Sequence, residues 1–155
     1  MRRILSVGVF ALLAACAAPR PEPVPSPVRH VATEPAEVKD PNFILIVAES
    51  VPNPDDDGIS FTKVFVDGKE AGKTAVGRKV EDRTLKLKLP IGNQPIRLEQ
   101  WVLPGVGEWS RLDDALQPRE RFVRVEAGSV VRLELRFAEG EASNTLTVSR
   151  EAAPR

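Results

Sequence analysis

Beyond residue 42 apolar and polar side chains alternate with a period of two, and helical periodicity is hard to find. In Leu85-Lys86-Leu87-Lys88-Leu89 the leucines share one face and the lysines the other. Val131, Leu133, Leu135 and Phe137 alternate in the same way with Arg132, Glu134 and Arg136. Strands of this kind have one wet face and one face turned to a core. Strand signals recur at 43–48, 60–66, 84–89, 95–102, 121–126, 130–137 and 145–149, separated by clusters of Gly, Pro, Asn and Asp. Phe43 to Val47 is apolar on both faces, which predicts a strand near the centre of a sheet or one covered by a loop. About seven strands, each donating three or so inward apolar side chains, can enclose a core between two sheets packed about 10 Å apart. The expectation is a single all-β domain over 42–150, with 151–155 as a loose, disordered tail.

The chain before this domain has a different composition. Arg2 and Arg3 precede an apolar stretch from Ile4 to Ala14, too short to span a bilayer, and Leu13-Ala14-Ala15 leads to Cys16, the single cysteine of the chain. This arrangement resembles the bacterial lipobox, which implies cleavage after residue 15 and a lipid-modified Cys16 at the new amino terminus. A lone thiol cannot close an internal disulfide, so stability has to come from packing. Each buried methylene of an acyl chain contributes about 0.8 kcal/mol, so several chains would make release from a membrane slow. Ala17, where the inner-membrane retention rule of such lipoproteins has Asp, fits transport to the outer membrane, facing the periplasm or the cell surface.

Residues 16–41 form a proline-rich tether, with Pro19, Pro21, Pro23, Pro25, Pro27, Pro35 and Pro41. Extended polyproline at about 3.1 Å per residue would let it hold a domain on the order of 70 Å from a membrane. His30, the single histidine, lies in this tether, where nothing orients it for catalysis or metal binding. Without residues 1–15 the chain has 20 basic and 22 acidic side chains. There is then no basic stripe for a phosphate backbone, so nucleic acid is not an expected partner.

The turns of the domain carry a second resemblance. Val64-Phe65-Val66-Asp67-Gly68-Lys69 continues to Gly72-Lys73-Thr74, and Asp67-Gly68 is a strong signal for a type I′ hairpin. Leu85 to Leu89 leads into Pro90-Ile91-Gly92, Ile96 and Leu98 alternate, and Val123 to Gly128 turns into Val131 to Phe137. Over roughly residues 64–137 this order resembles the PEGA family, with Ala75 where a proline commonly follows the threonine and an insertion between Pro104 and Pro118. The resemblance implies a transthyretin-like or immunoglobulin-like β-sandwich closed by a β-hairpin. It also implies a non-catalytic module of envelope proteins, used for attachment or protein binding. Asn53-Pro54-Asp55-Asp56-Asp57-Gly58 is similar to the first loop of the type VI secretion lipoprotein, whose loops hold the periplasmic part of an inner-membrane partner. On that alternative Asp55, Asp56 and Asp57 are partner-binding residues.

The same loop places Asn53, Asp55 and Asp57 at alternate positions of a calcium loop, but the twelfth position is Val64 rather than a bidentate glutamate. A solvated turn is the favoured reading, and no metal is expected. Both tryptophans lie at this insertion, Trp101 just before it and Trp109 within it. If Ile96 and Leu98 face inward, parity turns Gln100 inward and Trp101 outward. Either the loop folds back so that Trp109 or Leu112 covers Trp101, which is the favoured reading, or the two rings form a platform for a glycan or partner chain. Catalytic constellations are missing: the domain has no histidine, tyrosine or cysteine and no phosphate-cradling glycine loop. Asp113-Asp114 beside Arg111 reads as a charged loop rather than an acid/base pair. The sequence thus predicts a non-enzymatic envelope lipoprotein that needs no cofactor and contacts another envelope protein or cell-wall component. Trp101 and Trp109 are the first candidates for the contact.

Overall fold

The computed structural model describes residues 38–51, 53–103, 107–138 and 143–153. The predicted signal segment 1–15, Cys16, His30 and most of the tether lie outside the described residues. Ten strands make two sheets. One sheet has the order β10-β9-β1-β5, from β10 (Asn144–Ala152), β9 (Ser129–Phe137), β1 (Phe43–Glu49) and β5 (Arg83–Leu87). The other runs β3-β2-β6-β7, from β3 (Lys69–Lys73), β2 (Ile59–Val66), β6 (Gly92–Leu103) and β7 (Ser110–Arg111). In this second sheet β4 (Gly77–Arg78) pairs with β2, and β8 (Arg121–Val125) pairs with β6. The fold is an all-β sandwich. All seven strands expected from alternation are present, and the three added ones are the short β3, β4 and β7.

The doubly apolar β1 is central, antiparallel to β5 and parallel to β9. Its inward residues Phe43, Leu45 and Val47 are fully buried, and so are Leu133 and Leu135 on β9. Leu85, Leu87 and Leu89 face the same core while Lys86 and Lys88 stay exposed. From the other sheet come Val64, Ile96, Leu98, Val123 and Val125. Every residue of the core cluster lies within the compact unit Val31–Arg155, which therefore carries its own core.

The β2–β3 turn is the expected type I′, with Asp67 at φ 50° and Gly68 at φ 72°. Gly72 and Thr74 each have a packing reason. A Cβ on Gly72 would lie 3.2 Å from Leu87 Cδ2, so only hydrogen lets β3 close over β5. Thr74 is buried. Its Oγ1 accepts from Thr62 N at 3.0 Å, and its own N–H donates to Thr62 O at 2.9 Å.

Two expectations need correction. The turn at Glu126 to Gly128 does not close a hairpin: β8 pairs with β6 while β9 pairs with β1 and β10, so this turn carries the chain from one sheet to the other. Gly128, at φ 72°, permits the reversal. The domain also continues past Arg150. Glu151 and Ala152 are in β10, and Ala153 N donates to Gly128 O at 2.9 Å, because β9 offers partners along its whole length.

Leu133→Ala is expected to lower unfolding free energy by about 2–5 kcal/mol, since the site is fully closed. Gly68→Ala, whose Cβ meets nothing within 4 Å but whose φ is positive, should cost only about 1–2 kcal/mol. Denaturant titration of both variants checks this ranking.

Candidate functional site

Strand β2 has an unexpected orientation. Its inward side is Ser60, Thr62 and Val64, and its outward side is Ile59, Phe61, Lys63 and Phe65. The hydroxyls enter the sandwich because one end of its interior is polar. Glu49 ends the inward row of β1, Arg83 begins that of β5, and Gln100 extends that of β6.

These groups form one network. The Glu49 carboxylate pairs with the Arg83 guanidinium; their side chains are 8% and 3% exposed. Glu49 Oε1 also accepts from Ser60 Oγ at 2.7 Å and from Gln100 Nε2 at 2.8 Å. Ser60 Oγ in turn accepts from Arg83 Nη1, and Thr62 Oγ1 donates to Gln100 Oε1. Arg83 Nε is the member left without a partner among the described residues. Burial of two charges is tolerated only because each is paired and hydrogen-bonded.

With β2 so oriented, its aromatic residues reach the outer face of the six-stranded sheet. Phe61 lies in register with Trp101, and their rings stack at 6.1 Å between centroids and 4° between planes. Trp109 meets Phe61 edge-on at 4.7 Å. The loop does fold back, with Phe61 as the platform between the two indoles. Gln117 stitches it down: its Oε1 accepts from Gln100 N at 2.8 Å, and its Nε2 donates to Leu112 O at 2.8 Å. Trp101 Nε1 is buried with no acceptor among the described residues.

Cations cover the rings. Lys63 Nζ lies 5.4 Å from the Trp101 ring, Lys73 Nζ 5.4 Å from Phe61, and Arg97 Cζ 4.0 Å from Phe65, all within cation–π range. Farther along, Phe122 on β8 is opposite Pro95 and is 78% exposed. Five of the seven aromatic residues beyond residue 42 therefore sit on this outer face. The core by contrast is mainly aliphatic, with Phe43 inside and Phe137 at its margin.

Acidic groups balance the cations. Lys63 pairs with Glu70 at 3.0 Å, Arg97 pairs with Glu99, and Arg111 lies 2.6 Å from Asp114 and 3.8 Å from Glu99. The hydrogen bond that Arg111 donates to Asp114, with the charges of Asp114 and Glu99, raises the Arg111 pKa further above its ordinary value, so it remains a cation throughout the biological pH range.

The Asp-rich loop lies at the same end of this sheet. Asn53 Oδ1 caps a 3-10 turn over Pro54–Asp56 by accepting from Asp55 N at 3.3 Å, and Asp55 and Asp56 are exposed. Asp57 is committed inward. Its carboxylate is 2.7 Å from Arg78 Nε and accepts from Val80 N at 3.2 Å, with 3% exposure of the side chain. It is a staple between two loops, unavailable to a partner. No group of three or more His, Cys, Asp or Glu suited to a metal ion occurs among the described residues.

Of the sequence-predicted site residues, Trp101 and Trp109 each pack on Phe61, Asp55 and Asp56 are exposed, and Asp57 is withdrawn. Sequence reasoning missed Phe61, Phe65, Phe122, Lys63, Lys73 and Arg97. Gln100 at an inward position was the available signal, since a buried amide requires polar neighbours on the facing strands.

Arg83→Met alone is expected to cost about 3–5 kcal/mol, because it strands the Glu49 carboxylate. Adding Glu49→Leu should recover most of that loss. A denaturant-based double-mutant cycle measures the coupling, and a cost under about 1 kcal/mol for the single change would place the pair in water. No protein-family model matches this chain, and neither a curated protein nor a solved structure matches it.

Proposed function

We propose that this protein is a membrane-anchored envelope lipoprotein whose sandwich is a non-catalytic binding module, and that it meets another envelope protein through the outer face of its six-stranded sheet. The carrying observation is the segregation of aromatic residues onto that face. Phe122 is 78% exposed there, and Trp101 and Trp109, half-buried around the buried Phe61, add apolar surface to the same face. Aromatic and arginine side chains are the usual energetic centres of protein interfaces. The cations over the rings keep the face soluble when it is free and offer charged contacts around an apolar centre.

A protein partner is favoured over a glycan. Sugar stacking needs a bare ring face, whereas Trp101 is stacked on Phe61 and overlain by Lys63, and Trp109 is half-buried against Phe61. The lipobox-like Leu13-Ala14-Ala15-Cys16 supplies the anchor in this reading, and the proline-rich segment supplies reach. The secretion-lipoprotein alternative rests on the exposed Asp55 and Asp56.

Two measurements test this proposal. Expressed in a bacterial envelope, the full chain should incorporate labelled palmitate and enter the detergent phase. Cys16→Ser should abolish both; labelling that persists would remove the anchor from the account. In cross-linking capture from the same envelope, Phe122→Ser with Trp109→Ala should reduce the captured partner at least about tenfold, and Asp55→Ala with Asp56→Ala should leave it unchanged. The reverse pattern would move the contact to the Asp loop.

A further inference from the structure

The edges of the two sheets are not equally protected. A free edge invites another strand, and proteins commonly blunt it with brevity, lysine, proline or a bulge. Edge strand β5 has five residues and is followed by Lys88 and Pro90. Strand β3 also has five residues, with Lys69 and Lys73, and its pairing with β2 is shifted between Val64 and Phe65. Strand β8 is equally short. Strand β10 is the longest of these edges, and its one core-side charge, Arg150, is tied down to Arg124 O at 2.9 Å and lies 3.8 Å from Glu126. The strand has nine residues, with no lysine, proline or glycine, and pairs with β9 in unbroken register. Among the described residues no strand pairs with its other side.

Hydrogen-bond phase shows which groups that edge presents. Ala153 N donates to Gly128 O, and Val131 N and Ser50 N make bonds that use the opposite side of β9, toward β1. In an antiparallel ladder this alternation turns the main-chain groups of Thr145, Thr147, Ser149 and Glu151 toward β9. Those of Asn144, Leu146, Val148, Arg150 and Ala152 turn outward. Leu146, Val148 and Arg150 also lie opposite the inward-facing Leu135, Leu133 and Val131. Val148 is therefore on the core side of the sheet, yet it is 47% exposed.

We propose that β10 pairs with β10 of a second copy of this chain, antiparallel about a two-fold axis at Val148. Val148 is the midpoint of Asn144–Ala152, so this axis pairs the strand along its full length. The five outward positions then face one another: Val148 meets Val148 of the second copy, Leu146 meets Arg150, and Asn144 meets Ala152. This register forms about ten main-chain hydrogen bonds, close to the number in a standard interface. Charges fit as well. Arg150 faces Leu146 and Glu151 faces Thr145, and the two Arg150 residues stand four residues apart along the strand direction, about 14 Å. The Val148 pair covers the apolar surface that β10 leaves open within one copy. The product is a dimer with one continuous eight-stranded sheet; it joins two anchors and carries two aromatic faces on its six-stranded sheets, independently of which partner those faces bind.

The test uses the unit Val31–Arg155, which contains the whole core and no cysteine. Sedimentation should show a concentration-dependent dimer. Because the axis sets residue 148 opposite itself, Val148→Lys and Val148→Glu should each raise the dimer dissociation constant at least about tenfold. At concentrations low enough for the parent to be monomeric both variants should keep its unfolding midpoint, and at higher concentration an equimolar mixture of the two should restore the dimer as a heterodimer. A parent that stays monomeric at the highest attainable concentration overturns the proposal, and so does a dimer indifferent to Val148→Lys. Failure of the two folded variants to associate when mixed overturns the register.

Discussion

The ion pair between Arg83 and Glu49, closed inside the sandwich, is the constraint to which the other unusual features lead back. A guanidinium and a carboxylate removed from water require partners in nearly every direction. Neighbouring strands supply them as Ser60 and Gln100, and Thr62 holds Gln100 in turn. Each is at an inward position and each is fully buried, so the hydrocarbon core stops before one end of the sandwich and a polar plug completes it. The plug is specific in a way hydrocarbon is not, because apolar contacts tolerate a small slide whereas hydrogen bonds do not.

The orientation of β2 follows from this. Side chains alternate strictly along a strand, so placing Ser60 and Thr62 inside places Phe61, Lys63 and Phe65 outside. A slip of one residue would send the phenylalanines into the core and leave Arg83 and Glu49 without their hydroxyl partners. The outer aromatic face is therefore a consequence of the interior, not a decoration added to it. Strand β6 extends the face with Trp101, and Gln117 fastens the following loop so that Trp109 reaches Phe61. The unpartnered edge of β10 belongs to the other sheet, so self-association and partner binding use different surfaces.

Much of the scaffold can be read along the chain. The Leu85, Leu87 and Leu89 alternation, the doubly apolar β1 and the Asp67-Gly68 turn are local patterns with local causes, and each appears as expected. Parity from Ile96 and Leu98 also places Gln100 inside and Trp101 outside. Strand β2 is harder, because Ser60-Phe61-Thr62-Lys63-Val64-Phe65 offers two faces of comparable hydrophobicity and only the distant Glu49 and Arg83 decide between them. The role of Asp57 is hidden for the same reason: its partners Arg78 and Val80 come from β4 and the turn that follows it. Phe122 shares a strand with the buried Val123 and Val125, and alternation identifies it as outward only once those two are known to face the core. The handover between sheets at Gly128 is not local either, since a two-strand turn looks alike whether it closes a hairpin or crosses the sandwich.

The aromatic environment of Phe61 in solution tests the central claim most directly, through nuclear Overhauser contacts from its ring protons. The account predicts contacts to the indoles of Trp101 and Trp109 and none to the methyl groups of Leu45 or Leu133. Contacts from the Phe61 ring to those core methyls would mean that β2 faces the other way, and would contradict both the polar plug and the binding face derived from it.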